Sequence, residues 1–405
     1  MRTLTVKNFG PINKAIIKMR KANVIIGPQS SGKSCILKIA CHCCWVEKRI
    51  ELSQSPTEFE KKDKFINGLL HFHKLEGYLK DNSYIQYESD QMSFTYAKSA
   101  FSFSWKEKRW EYKRPLLSYI PAERNIVAVI PNWYEVKFDD NNIRSFMADW
   151  ETARKERVKK IDILNLKVSY RYDANNNEDK VDMDDGVTMA FTNTSSGLQS
   201  LIPLYVHLDY LTGKGLTQKA ASIADENNIS RMYTTLMLNF LKGMGTNDAK
   251  LEDLIDITNK NSIAQLQKLY KRLVENDHCD IFVEEPEENL FPETQYELVN
   301  WLASKINEHD AHSLFVSTHS PYIMSSFNNL LQGGEIKTLH PEKAKKVADI
   351  IDHKALLYHE DFSAYAVKDG EVHDIMDHEM GLISADELDS ISDYIGSKFE
   401  KLLDL

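Results

Sequence analysis

Residues Gly27 to Ser34 read GPQSSGKS, matching G-x-x-x-x-G-K-[ST] at every fixed position. That spacing suits phosphate chemistry. Gly27 and Gly32 let the backbone curl so that successive N–H groups and a helix N-terminus face an anion. Lys33 then reaches the β- and γ-phosphates, and the Ser34 hydroxyl completes a Mg²⁺ shell. Pro28, Gln29, Ser30 and Ser31 span the two glycines and Cys35 opens the following helix, so Gly27 through Cys35 is the expected nucleotide-binding set. Ordinary glycine-serine turns lack these flanks: Asn23–Ile26 reads as a short buried strand, and Cys35–Trp45 as an apolar-rich helix.

Three later stretches carry complementary chemistry. CDIFVEEPEENLFPETQ (279–295) is an apolar strand ending in adjacent carboxylates. The first, Glu284, is expected to hold Mg²⁺ through water, and the second, Glu285, to polarise the water that attacks the γ-phosphate. A solvated acidic loop would not follow directly on an apolar strand. SLFVSTHSPYI (313–323) is a second apolar strand, with His319 at its polar end, where a neutral imidazole can donate to a phosphate oxygen. NTSSGLQSLIPLYVHL (193–208) opens a helix with a Ser-Ser-Gly turn. Alone it reads as an ordinary helix cap; with the other three stretches in this order it reads as an anion site.

These groups need elements to hold them. The 405 residues, 42% hydrophobic and 10% aromatic, are enough for one large or two joined domains. The net charge of −10 excludes a surface coated in positive charge but not a local basic groove. Met1 leads directly into an alternating strand pattern and no apolar run reaches the length of a membrane span, so a cytoplasmic setting is expected. Residues 2–8 and 14–19 read as strands around Phe9-Gly10-Pro11, residues 58–80 as an amphipathic helix, and 84–112 as an antiparallel meander. Residues 140–160 read as a polar helix, followed by strands at 166–173 and 187–193 around a very polar hairpin. A mostly helical stretch covers 214–275, short strands fall at 281–283 and 314–317, and 384–405 reads as an acidic amphipathic helix.

Taken together, the order of motifs resembles the ABC-type ATPases, in the branch shared by SMC, RecF and the OLD (overcoming lysogenization defect) proteins. NFGPINKAIIKMRKANVIIGPQSSGKS resembles the N-terminal lobe of that branch, and EEPEENLFP and STHSPYI resemble the OLD-like members. The resemblance implies an α/β fold: an ABC-type P-loop core with an antiparallel β subdomain and a helical insertion. It implies a first core segment at 1–213, the insertion at 214–275, the rest of the core at 276–340 and a C-terminal extension at 341–405. It makes Ser195, Ser196, Gly197 and Gln199 the signature turn that caps the γ-phosphate on another subunit, with Leu198 where a second glycine is common. His319 becomes the switch histidine, and Glu287–Leu290 a subunit-contact loop. Glu284 departs from the usual Asp. The Gln-loop has no clear match; Glu123 and Arg124 in YIPAERN (119–125) are the candidates.

Sustained heptads for SMC-like arms are missing, and the tail, acidic over 349–377, offers no convincing Toprim metal site. The resemblance is therefore to stand-alone OLD-like ATPases encoded beside a separate effector, as in PARIS and Septu-type antiphage systems. Expected cofactors are ATP and Mg²⁺; expected partners are further copies of the chain and a separate nuclease or toxin, with DNA open and no membrane. Two other readings stand beside the ATPase: an ATP-bound scaffold sequestering an effector without turnover, and a RecF-like repair ATPase.

Other signals carry less. Cys41, His42, Cys43 and Cys44 are consecutive on one expected helix, so they point in different directions and suit buried thiols better than zinc. The aromatic-basic stretch 102–114 fits a sheet edge with lysines facing water better than a nucleic-acid platform. The acidic run 175–185 reads as a solvated hairpin.

Overall fold

A computed structural model describes residues 2–130, 132–157, 159–217, 275–384 and 396–403. The N-terminal strands β1 (Arg2–Phe9) and β2 (Ile12–Met19) pair antiparallel about the Gly10 turn, and β3 (Ala22–Ile26) runs into the glycine loop. Helix α1 (Lys33–Ser53) follows. Helix α2 (Lys64–Phe72) precedes the meander β4 (Tyr84–Glu88), β5 (Met92–Ala97) and β6 (Ala100–Trp105). Strand β7 (Pro115–Ile120) and helix α3 (Asn142–Glu156) lead to a separate small sheet, ordered β11-β10-β9-β8. Its strands are β8 (Ile161–Asp162), β9 (Val168–Asp173), β10 (Glu178–Met183) and β11 (Thr188–Ala190). Then come α4 (Ser196–Tyr210), β12 (His278–Glu284), α5 (Pro292–Ile306), β13 (Ser313–Thr318), α6 (Pro321–Leu339), β14 (Phe362–Lys368) and β15 (Glu371–Asp374).

The main sheet has eleven strands in the order β6-β5-β4-β1-β2-β15-β14-β3-β13-β12-β7. From β14 to β7 every neighbour is parallel. From β6 to β2 every neighbour is antiparallel. The fold is thus α/β, with an antiparallel wing on a parallel core. Alternation buries both faces of the core. Val24, Ile281, Val283, Leu314 and Val316 join the cluster under α3 to α6. Ile25, Phe282, Phe315 and Tyr119 join the cluster around α1. Parallel strands covered on both sides must be apolar throughout, which is why IFV and LFV mark them so plainly.

Three expectations are corrected. The helix expected over 58–80 is only α2 plus a single turn at Thr57–Glu60, because the chain reverses through Lys74 (φ 56°) and Gly77 (φ 86°). The polar hairpin expected at 174–185 contains strand β10, stabilised by cross-strand pairs: Lys180 lies 2.7 Å from Asp173 and Arg171 3.1 Å from Asp182. Part of the tail, set apart as an extension, enters the main sheet. Strand β14 lies beside β3, with Ala366 opposite Ile26. Of the helical stretch expected at 214–275, residues 218–274 lie outside those described. So do 385–395 and 404–405 of the acidic tail helix; 396–403 are helical.

Candidate functional site

The C-terminal ends of four adjacent parallel strands converge. Register pairs Ile26 with Thr318, Ser317 with Glu284, and Val283 with Ile120. Consequently the glycine loop, His319, the acidic pair and the 121–125 turn leave one edge of the sheet side by side. Open α/β sheets bind ligands at this edge.

In the loop, Ser30 (φ 60°) and Gly32 (φ 107°) take left-handed backbone, and α1 begins at Lys33. A Cβ at Gly27 would come within 2.7 Å of the Val367 carbonyl oxygen, so β14 itself demands glycine there. Lys33 is 4% exposed; its Nζ donates to the carbonyls of Gly27 and Pro28 at 2.8 Å each and lies 3.2 Å from His319 Nδ1. Burial pulls the Lys33 ammonium down to about 8, against the lift from Glu285 and Glu287.

His319 bridges Lys33 to the acids. Its Nε2 lies 3.4 Å from Glu285 Oε1, and its backbone N–H donates to Glu287 Oε1 at 2.6 Å. Glu285 sits at φ 44°, a strained conformation for a side chain of this size. The turn is held from both sides: Glu285 N–H donates to the Ser317 carbonyl at 2.8 Å, and its own carbonyl accepts from Arg124 at 2.8 Å. Glu284 is buried; its carboxylate accepts from the Tyr119 hydroxyl and more weakly from Ala122 N–H, with Lys38 3.7 Å away.

Arg124 is wholly buried. Its guanidinium donates to the carbonyls of Glu284 and Glu285, and to that of Ser200 in α4 at 2.9 Å. It therefore clamps the acidic turn to α4, while Glu123 is exposed. Ser195 caps α4 by accepting from Leu198 N–H, and Gln199 folds back onto the carbonyls of Thr192 and Thr194. A Cβ on Gly197 would meet the Asn289 carbonyl at 2.9 Å. Ser195 and Ser196 are exposed, and no hydrogen bond among the described residues joins 195–199 to the glycine loop. Within one chain, then, the structure gathers the loop, both acids and His319, and leaves the Ser-Ser-Gly turn pointing outward beside the 287–290 segment.

The donor set suits a magnesium nucleotide. Within the loop Ser31 Oγ is buried without a hydrogen-bond partner, as is Ser317 Oγ on the neighbouring strand β13. Buried orphaned hydroxyls of this kind call for a further polar group. Lys33 and the loop N–H groups would hold phosphates; Ser34 and Glu284 would hold Mg²⁺. Four partners escaped the motif reading: Tyr119, Lys38, the clamp role of Arg124, and Gln295, whose carbonyl accepts from Ser320. Tyr119 and Arg124 left one faint sign, a strand closing on a proline (YIPAER) as the acidic strand does. The cysteines are all free and buried, and no metal-ligating cluster exists among the described residues. The stretch 102–114 begins in β6, the outer strand of the sheet, with Arg109 over the Trp105 ring at 4.1 Å. Among the described residues no helix is long and apolar enough to cross a membrane.

No family model and no curated protein matches the chain. Among solved structures, the chain is similar to the SMC head domain from Thermotoga maritima, with 10% identity and a TM-score of 0.38, covering 93% of this chain and 98% of that one. An Smc head domain with an extended coiled coil, from Pyrococcus furiosus, gives 9% identity and a TM-score of 0.37, covering 98% and 100%. The recombination mediator protein RecF gives 10% and 0.30, covering 92% and 97%. At these scores the superpositions are partial and carry no functional weight.

Proposed function

We propose that the chain is a Mg²⁺-dependent ATPase of the ABC type that works as a pair of like faces. One observation carries this reading: Lys33, His319 and Glu285 form a continuous line, at 3.2 Å and 3.4 Å, along the strand edge that also presents the glycine loop and Glu284. Lys33 and the loop N–H groups hold and orient the phosphates. Glu285 accepts a proton from the attacking water, and His319, adjoining both Lys33 and Glu285, senses the γ-phosphate. Mg²⁺, when bound by Ser34 and Glu284, neutralises charge on the phosphate oxygens. Arg124 fixes the Glu285 turn so that the base is aimed before substrate arrives.

Two features support the paired arrangement. Ser195, Ser196 and Gly197 form an outward helix start, suited to a phosphate on another copy. Phe291 (74% exposed) and Tyr322 (53% exposed) follow the acidic turn and His319, where a second copy would cover them. The finer role, sensor of a separate effector in antiphage defence, rests on the OLD-like form of EEPEENLFP and STHSPYI. The test is the solution mass of wild type and Lys33→Ala with and without Mg-ATP. An assembly formed only by wild type with nucleotide supports the shared face. A wild type that binds ATP yet stays monomeric removes the trans role of Ser196 and Gly197.

A further inference from the structure

On the α1 side of the main sheet, away from the glycine loop's own residues, lies a half-open cavity of about 930 Å³. That is within the range of small-ligand sites, roughly 300–1,000 Å³. Its walls come from α1, the segment leading into α2, α2 itself, β7 and the start of α3. Three observations define its chemistry.

The walls are aromatic. Trp45 is 38% exposed, with its ring 5.6 Å from that of His42, and Phe72 and Tyr119 share the lining. Gly68 keeps one wall low. It sits inside α2, where alanine would be favoured by about 1 kcal/mol, and a Cβ there would lie 3.3 Å from His42 Cε1.

The lining carries three lysines against two carboxylates, Asp140 and Asp149, so cations outnumber anions. The lysines, Lys61, Lys62 and Lys64, are all exposed, and none forms an ion pair among the described residues. A run of lysines alone is a solvated face, so the third observation decides the matter. His73 lines the same cavity, is 1% exposed, and its Nδ1 has no hydrogen-bond partner. Burial holds this imidazole neutral, well below the ordinary histidine value, so it offers one ring nitrogen to a polar ligand atom. A buried ring nitrogen left unpaired is costly, and a ligand atom would satisfy it.

We propose that this cavity binds a small planar aromatic anion and that its occupancy is transmitted to Glu284 through Tyr119. The ring packs against Trp45 and Phe72 and presents a polar atom to His73, while the anionic group meets the three lysines. A nucleoside monophosphate carries both parts, a planar ring with polar edge atoms and an anionic group. The transmission path is short: the His73 ring stands edge-on to Tyr119 at 5.3 Å, and the Tyr119 hydroxyl donates to the Glu284 carboxylate. A ligand that shifts Tyr119 re-aims the acid assigned to Mg²⁺. Binding needs nothing from the ATPase reading; the transmission rests on it.

The experiment uses the full chain with its phosphate loop saturated by Mg-AMPPNP, titrated calorimetrically with AMP and then GMP. The expected result is saturable one-to-one binding. It weakens at least tenfold in the triple variant Lys61→Glu/Lys62→Glu/Lys64→Glu, whose positions are exposed and spare the core. Gly68→Leu, which fills the cavity, should do the same; if it fails to fold, the triple variant decides. ATP turnover should change at least twofold on adding AMP, and that response should vanish in Tyr119→Phe. No saturable binding of either probe, or binding indifferent to the charge reversal, overturns the site. Binding without any effect on turnover overturns the transmission. Binding by a protein that never hydrolyses ATP keeps the site and sinks the ATPase reading.

Discussion

Raising the pH from 7 to 9 should weaken Mg-nucleotide binding about tenfold. The cause is Lys33, whose ammonium is held at about 8 by burial, with Glu285 and Glu287 opposing. At pH 7 about nine-tenths of the empty protein carries the charge, and at pH 9 about a tenth. Only the ammonium form pairs with phosphate, and pairing raises its proton affinity. Between the free and bound pKa values the complex therefore holds more protons than the empty protein, so affinity must fall as pH rises. The loss is about 1.4 kcal/mol across the window. Calorimetry of Mg-AMPPNP in two buffers of unlike ionisation enthalpy measures it directly. Binding at pH 9 should take up about 0.9 proton, against about 0.1 at pH 7. Lys33→Arg keeps its charge throughout and should flatten the profile. A wild-type affinity constant from pH 7 to 9, with no proton uptake, would refute the placement of Lys33 against the phosphates.

Two further substitutions probe the supports. Arg124→Met strips the carbonyls of Ser200, Glu284 and Glu285 of a buried charged donor, so thermal unfolding should show a loss of about 3–5 kcal/mol. At a temperature where that variant stays folded, turnover should fall at least tenfold while nucleotide affinity moves less than threefold; equal losses would mean the clamp is merely structural. Gly334→Ala places a Cβ 2.0 Å from the Leu357 carbonyl oxygen, and backbone cannot yield as a side chain can. It should cost about 1–3 kcal/mol in denaturant unfolding, and a neutral result would mean the packing of α6 on 355–358 is looser than described.

The parallel core was legible because strands buried on both faces leave unbroken apolar runs, and each run here leads into a residue proposed for the site: Ile26 into the loop, Val283 into Glu284, Thr318 into His319. Strand β10 was not, because EDKVDM buries Val181 and half-buries Met183 but otherwise presents charges, and ion pairs across the ladder replace the apolar signal. Strand β14 was hidden differently. FSAYAVK lies inside the acidic stretch 349–377, where no strand was placed, and nothing local says that it inserts beside β3, more than three hundred residues earlier in the chain. Arg124 and Tyr119 were missed as supports because their partners are backbone carbonyls and a carboxylate brought near only by the β7–β12 pairing. The Ser-Ser-Gly turn was legible as a helix cap, and its outward direction follows only from the packing of Gly197 on Asn289.

The most direct test of the central claim is phosphate release and retained nucleotide in Glu285→Gln, measured beside wild type under the same Mg-ATP. The substitution keeps the size of the side chain and removes its basicity, and the Glu285 turn stays anchored by Ser317 and Arg124 through backbone groups alone. The account predicts that release falls at least a hundredfold while ATP stays bound and the assembled form persists. Release at the wild-type rate would show that Glu285 is not the base and that the line from Lys33 through His319 does not end in chemistry.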